Sequence, residues 1–252
     1  MLNKEKLNDY KRILNFNLGQ VEKDYLQQIF LLFFSRYVKD EFIFKGGTAL
    51  QKCYGLNRFS EDLDFTFMKE IDINKIINKI CEEISSFGFD SYSEETKGRI
   101  SRTYRIKIKG PLFDGNEKSI ASLRIEISLR NDLILPPETK EIISVYNDIP
   151  PYLICTMNLN EILAEKIRTV LQRQKARDIY DIHFILKKGA KANKKLIQEK
   201  CQKLGLDFDK DLFTKRVKEI KKIWQQELLG YVSFIPDFNE VLKEIIKFIE
   251  SL

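Results

Sequence analysis

With a single histidine in 252 residues, the chain has little material for the common hydrolytic mechanisms. A Ser-His-Asp or Cys-His arrangement would have to use His183, which sits in the apolar stretch Ile179-Tyr-Asp-Ile-His-Phe-Ile-Leu186. A histidine so placed reads as a core or half-buried helix residue. The cysteines are equally sparse. Cys53, Cys81, Cys155 and Cys201 form no C-x-x-C pair, and no cysteine lies near His183 in sequence, which argues against structural zinc. Long hydrophobic runs are missing too. The longest, Ile29 to Phe34, is far short of the roughly 20 residues a membrane-spanning helix needs. The first nine residues are polar and charged, unlike a secretion signal. These absences predict a cytoplasmic protein with no membrane segment, whose chemistry rests on carboxylates, lysine and a metal.

What remains is an ordinary globular composition, 43% hydrophobic, 12% aromatic and 32% charged. Forty-three Lys and Arg against 37 Asp and Glu give a formal charge of +6, which favours a polyanionic partner without requiring one. The stretch Lys187-Lys188-Gly-Ala-Lys191-Ala-Asn-Lys194-Lys195 reads either as a nucleic-acid surface or as a solvated helix turn.

Periodicity organises the chain. Apolar residues at helical spacing mark Gln20–Val38 and Asp72–Phe87, and Glu41–Phe44 reads as a short buried strand. Gly46-Gly47 ends that strand, and Thr48 is expected to cap a short helix. Three segments alternate with period two: Asp62–Phe67, Thr103–Lys109 and Ser122–Leu129. Each has one apolar face. The opposite faces carry Asp62, Asp64 and Thr66, then Arg105 and Lys107, then Arg124, Glu126 and Ser128. After Pro150-Pro151 the pattern is almost entirely helical. The expected architecture is therefore α+β: a mixed sheet with helices on one face over residues 1–150, then a helical domain over 151–252.

Asp62 and Asp64 stand two apart on one strand face, about 7 Å along the chain, where two carboxylates can converge on a divalent ion. Glu126 could complete an oxygen cage for one or two Mg²⁺. Each acid could equally be a solvent-facing residue of a half-exposed sheet. Upstream, Lys45-Gly-Gly-Thr-Ala-Leu50 leads a glycine pair into a helix N-terminus, where backbone amides and the helix dipole favour phosphate.

Taken in order, Gly46-Gly47-Thr48-Ala49-Leu50, Tyr54-Gly55 and Arg58-Phe-Ser-Glu-Asp-Leu-Asp-Phe65 resemble the signature of the AbiEii toxin family of nucleotidyltransferases, within the polymerase-β-like superfamily. Gly47-Thr48 stands where that superfamily often has Gly-Ser. The resemblance extends through Glu161-Ile-Leu-Ala-Glu-Lys166 and Arg173-Gln-Lys-Ala-Arg-Asp178-Ile-Tyr-Asp181, and so covers about residues 40 to 186. It implies that Asp62, Asp64 and Glu126 bind two Mg²⁺, with Glu126 also helping to deprotonate an attacking hydroxyl. Gly46, Gly47, Thr48 and Ser60 would hold the terminal phosphates of a nucleoside triphosphate. Lys166 would neutralise the triphosphate, and Asp178 would position Lys166 or the sugar. The implied reaction moves a nucleotide to an acceptor, with tRNA or another RNA favoured. It further implies a toxin of a bacterial toxin–antitoxin or phage-defence pair, with a cognate antitoxin. A non-catalytic nucleotide-, RNA- or partner-binding module on the same fold is the competing reading.

Helix geometry adds an independent expectation. At about 100° per residue, Lys166 falls inside the apolar arc of Leu159, Ile162, Leu163, Ile167, Val170 and Leu171. The same projection leaves Glu161, Glu165, Arg168 and Thr169 on the far side. It places Asp178 between Ile182 and Ile185, with Arg177 and Asp181 outward. An inward lysine and an inward aspartate need partners, either a triphosphate with its metals or each other. The helical domain is expected to close over the sheet's polar face.

Overall fold

Two strands that share a register bring the expected acids side by side. In the computed structural model, which describes residues 1–69 and 71–252, Asp62–Phe67 and Ala121–Ser128 run parallel with Asp64 beside Glu126. They are the second and fifth strands of a seven-stranded mixed sheet. In chain order the elements of this first unit are α1 (Lys4–Leu14), α2 (Leu18–Tyr37), β1 (Phe42–Lys45), α3 (Gly46–Tyr54), β2 (Asp62–Phe67), α4 (Ile73–Ser86), β3 (Ser91–Lys97), β4 (Ser101–Ile108), β5 (Ala121–Ser128), β6 (Glu138–Ile142) and β7 (Tyr152–Thr156). The spatial order is β3-β4-β5-β2-β1-β7-β6, which puts the two acid-bearing strands near the centre.

The apolar face of the sheet explains its stability. Leu63 and Phe65 of β2, Ile125 and Ile127 of β5, and Tyr104 and Ile106 of β4 join residues of α1, α2 and α4 in one buried core. Helix α4 is capped by Asp72, whose side chain accepts from the Lys75 amide, and it buries Ile73, Ile76, Ile77, Ile80 and Ile84, the stripe its sequence predicts. Helix α2 starts with a reciprocal capping box between Asn17 and Gln20. The Phe34 ring meets Phe42 edge-on and Phe65 at a tilt, tying the end of α2 to β1 and β2.

The α+β expectation holds, with two corrections of detail. The strands β3, β6 and β7 escaped the periodicity reading, and β7 follows Pro150-Pro151, where the chain was expected to be helical. The first unit therefore runs past residue 150. It comprises residues 1–55, 59–131 and 137–156, and the second comprises 56–58, 132–136 and 157–252. Thr66 also departs from its expected place on the polar face, for it is fully buried.

The second unit is helical: α5 (Leu159–Gln172), α6 (Ala176–Lys187), α7 (Lys194–Gln202), α8 (Lys210–Glu219), α9 (Trp224–Leu228) and α10 (Phe238–Glu250). Helix α5 packs against α6, α7 and α8, and α6 also meets α9 and α10. Both are covered on more than one side. Among the described residues, no helix is long and apolar enough to cross a membrane.

Candidate active site

The polar face of the sheet holds the acids on which the chemistry would rest. Asp62 and Asp64 are half-buried on β2, and Glu126 is half-buried on β5 next to Asp64 in the register. Between Asp62 and Glu126 lies a cation. Arg124 Nη1 is 3.3 Å from Asp62 Oδ2, and its Nη2 donates to Glu126 Oε2 at 2.7 Å. The three carboxylates are not gathered into a cage: among the described residues, no group of three His, Cys, Asp or Glu side chains is disposed to hold a metal together. The donor set still fits a hard cation such as Mg²⁺, since all its atoms are carboxylate oxygens. A positive charge already stands between two of them.

Helix α3 enters this face through Gly46, whose φ of +74° is a left-handed conformation that side-chain-bearing residues rarely take. A Cβ added there would overlap Asp64 Oδ2 and lie 3.1 Å from Asp64 Cβ and Cγ. Glycine is required because the backbone passes against the carboxylate. The N-cap residue Lys45 supplies no side-chain hydrogen bond to the first turn. Thr48 does not cap the helix as expected, since α3 already begins at Gly46. It is fully buried instead, and its hydroxyl donates to the Asp62 carbonyl and accepts from the Ser60 hydroxyl at 2.8 Å. Thr48 and Ser60 thus tie α3 to the start of β2.

The loop before β2 is held by residues that carried no sequence signal. Gln27 of α2 is fully buried and donates to the carbonyls of Ser60 and Glu61, both at 2.9 Å. Gln51 accepts from the Ser60 amide at 3.1 Å and donates to Asp24 at 2.8 Å. Asp24 also pairs with the buried Lys52. These contacts fix the approach to Asp62 from both sides.

Lys166 and Asp178 belong to the second unit. Lys166 is turned inward, as its helix position predicts, and its ammonium meets Asp178 Oδ1 at 3.0 Å. It also meets Asp181 Oδ2 at 2.6 Å. Asp181, expected outward, is wholly buried, and Arg58 grips it with Nε and Nη2 at 2.6 and 2.7 Å. Arg173 binds Asp178 at 2.9 Å. Glu161, Glu165 and Arg168 are likewise buried rather than exposed, and Glu161 and Glu165 lie 2.6 and 3.2 Å from the fully buried Lys200. The projection assumed a helix with one covered side. Consecutive residues Asp178 to Ile182 are all buried, so α6 has no solvent face there.

Electrostatics keeps this cluster ionised. Burial pushes the Asp178 carboxyl upward, but Lys166 and Arg173 override it and hold the group well below the usual carboxylate range. For Asp181, burial is likewise outweighed by Arg58 and Lys166. Burial lowers Lys166, yet the two aspartates return it to above the ordinary lysine value. His183 is half-buried and 3.0 Å from Glu244, and burial prevails over that partner to lower its pKa. In the basic stretch, Lys187 pairs with Glu244 and the other lysines are exposed.

Comparison with known proteins agrees with the fold. The chain superposes on MenT4, a nucleotidyltransferase toxin of Mycobacterium tuberculosis H37Rv, with a TM-score of 0.67 and 17% identity, covering 100% of this chain and 91% of that one. JHP933 of Helicobacter pylori gives a TM-score of 0.57 at 21% identity, over 94% of this chain and 92% of that one. No curated protein matches the sequence. Likeness at these identities concerns the fold alone. The family model for nucleotidyl transferase AbiEii toxins, type IV toxin–antitoxin system, matches residues 34–244. That span takes in the glycine pair, the β2 acids, Glu126 and the α5–α6 cluster, and the chain accordingly belongs to the AbiEii family of toxin nucleotidyltransferases.

Proposed function

We propose that this toxin transfers a nucleoside monophosphate from a nucleoside triphosphate to an RNA acceptor, with tRNA favoured, in a magnesium-dependent reaction. The observation that carries the reading is the polar face of β2 and β5, where Asp64 stands beside Glu126 in the register and against the backbone of Gly46, with Asp62 two residues away on the same strand. Two Mg²⁺ held by Asp62 and Asp64, with Glu126 completing the set, would supply Lewis-acid neutralisation of the triphosphate.

The chain's own residues do the rest. Amides at Gly46 and Gly47 bind the terminal phosphates, as the start of a helix favours. Thr48 and Ser60, whose hydroxyls are hydrogen-bonded to each other, brace that turn against β2. Glu126 accepts the proton of the attacking hydroxyl. The hydroxyl oxygen forms a bond to the α-phosphorus in line with the leaving group, and the bond to pyrophosphate breaks, its electron pair leaving on pyrophosphate.

Lys166 neutralises the triphosphate in this reading, and Asp178 orients it. Support comes from the family match, whose span takes in the α5 and α6 segments that carry Lys166 and Asp178. The toxin's family membership favours an antitoxin partner, a cytoplasmic site of action and a place in phage defence. Incubation with each of the four labelled triphosphates, Mg²⁺, and either total RNA or total protein tests the acceptor. Label in small RNA is expected; label confined to protein would contradict it.

A further inference from the structure

Arg124 stands in an unusual position on the sheet. In the register it lies directly between Asp62 on β2 and Arg105 on β4, all three on the polar face. Like charges opposite one another on neighbouring strands repel. The guanidinium is bound away from Arg105, to Asp62 Oδ2 at 3.3 Å and Glu126 Oε2 at 2.7 Å. It thereby uses two of the carboxylates that a divalent cation would need. Its side chain is 43% exposed, so it is free to swing while the strand stays in place.

Resting on the proposed metal role of Asp62 and Glu126, we propose that Arg124 is an exchangeable counter-ion: it holds these carboxylates when metal is absent, is displaced when metal enters, and then binds a phosphate of the triphosphate together with Arg105. The chemistry follows from charge. A divalent ion displaces a guanidinium from carboxylate oxygens more readily when the guanidinium finds another anion. Once displaced, Arg124 stands opposite Arg105, whose neighbour on its other side is Glu94 of β3, and a pair of guanidiniums suits a phosphate through paired N–H groups. Metal and nucleotide therefore bind cooperatively. Each raises the affinity of the other by the same factor, since coupling between two bound ligands is reciprocal.

Mn²⁺ binding, followed by the electron paramagnetic resonance of the free ion, tests this without measuring transfer. The wild type is titrated with and without a mixture of the four α,β-methylene nucleoside triphosphates, beside Arg124→Met and Arg124→Lys. Arg124→Met is expected to bind Mn²⁺ alone roughly tenfold more tightly than the wild type, and to lose most of the nucleotide enhancement. Arg124→Lys, which keeps the charge but not the paired donors, is expected in between and serves if the methionine variant does not fold. Arg105→Met should reduce the enhancement. Equal Mn²⁺ affinity in the wild type and both Arg124 variants would overturn the exchange and leave the metal reading standing. Failure of every protein to bind Mn²⁺, even with nucleotide, would bring down the metal reading and the exchange with it.

Discussion

The α-carbon of Gly46 lies so close to the Asp64 carboxylate that no side chain can stand between them. Gly46→Ala is therefore expected to damage the site twice over. A φ of +74° disfavours alanine, and strained backbone of this kind costs roughly 1–3 kcal/mol. The added methyl must also displace Asp64. Stability should drop by that amount, and transfer should fall by orders of magnitude. Denaturant unfolding and a transfer assay on the one variant check both; unchanged transfer would show that the carboxylate position does not matter.

Asp181 and Asp178 share Lys166 but differ in their second partner. Arg58 is buried with Asp181, whereas the Arg173 side chain is 59% exposed and can return to water. Asp181→Asn strands a buried guanidinium, at a cost of about 3–5 kcal/mol. Asp178→Asn should cost distinctly less. Urea unfolding of the two variants gives the order, and a larger loss for Asp178→Asn would contradict it.

Lys166→Met leaves each aspartate with its arginine, so stability should fall by about 1–3 kcal/mol, less than breaking a buried pair outright. Transfer should fall far more. A variant that keeps near-normal transfer in its folded fraction would reduce Lys166 to a structural counter-ion.

His183 gives the pH dependence a single reporter. Its folded pKa is lowered from the ordinary 6.5 by burial, against the opposing pull of Glu244. The neutral imidazole is thus favoured in the folded state. This contribution is fully present above about pH 6.5 and is lost as pH falls through the folded value, because the unfolded chain takes up the proton first. The C2 proton of the lone histidine should titrate below 6.5, and His183→Gln should flatten the stability profile between about pH 7 and 5. A midpoint above 6.5 would reverse the sign.

Much of the first unit was legible because its elements obey simple periods. Strand Asp62–Phe67 was delimited to the residue, and α4 within one residue at each end, since alternation and a helical isoleucine stripe are local signals. Strands β3 and β6 were not legible. Ser91–Lys97 and Glu138–Ile142 lie at the sheet's two edges and are mostly polar, so neither carries a hydrophobic alternation. The register that sets Asp64 beside Glu126 and Arg124 beside Asp62 is a long-range property that no local period encodes. The helical unit misled for a different reason. Asp181 and Glu161 look like surface residues in a projection, yet each is wholly buried against a cation, Arg58 or Lys200, brought in from a distant part of the chain. Buried ion pairs defeat a reading in which charge means solvent.

The most direct test of the account compares wild type with Asp64→Asn in the transfer of labelled nucleotide to total RNA, with and without Mg²⁺, alongside melting temperature. Asparagine keeps the shape of the Asp64 side chain against Gly46, so the variant should still fold, which the melting temperature checks. The account predicts label with wild type only when Mg²⁺ is present, and none with Asp64→Asn under either condition. Labelling by a folded Asp64→Asn variant at near-normal rates, or by wild type in the presence of a chelator, would contradict it.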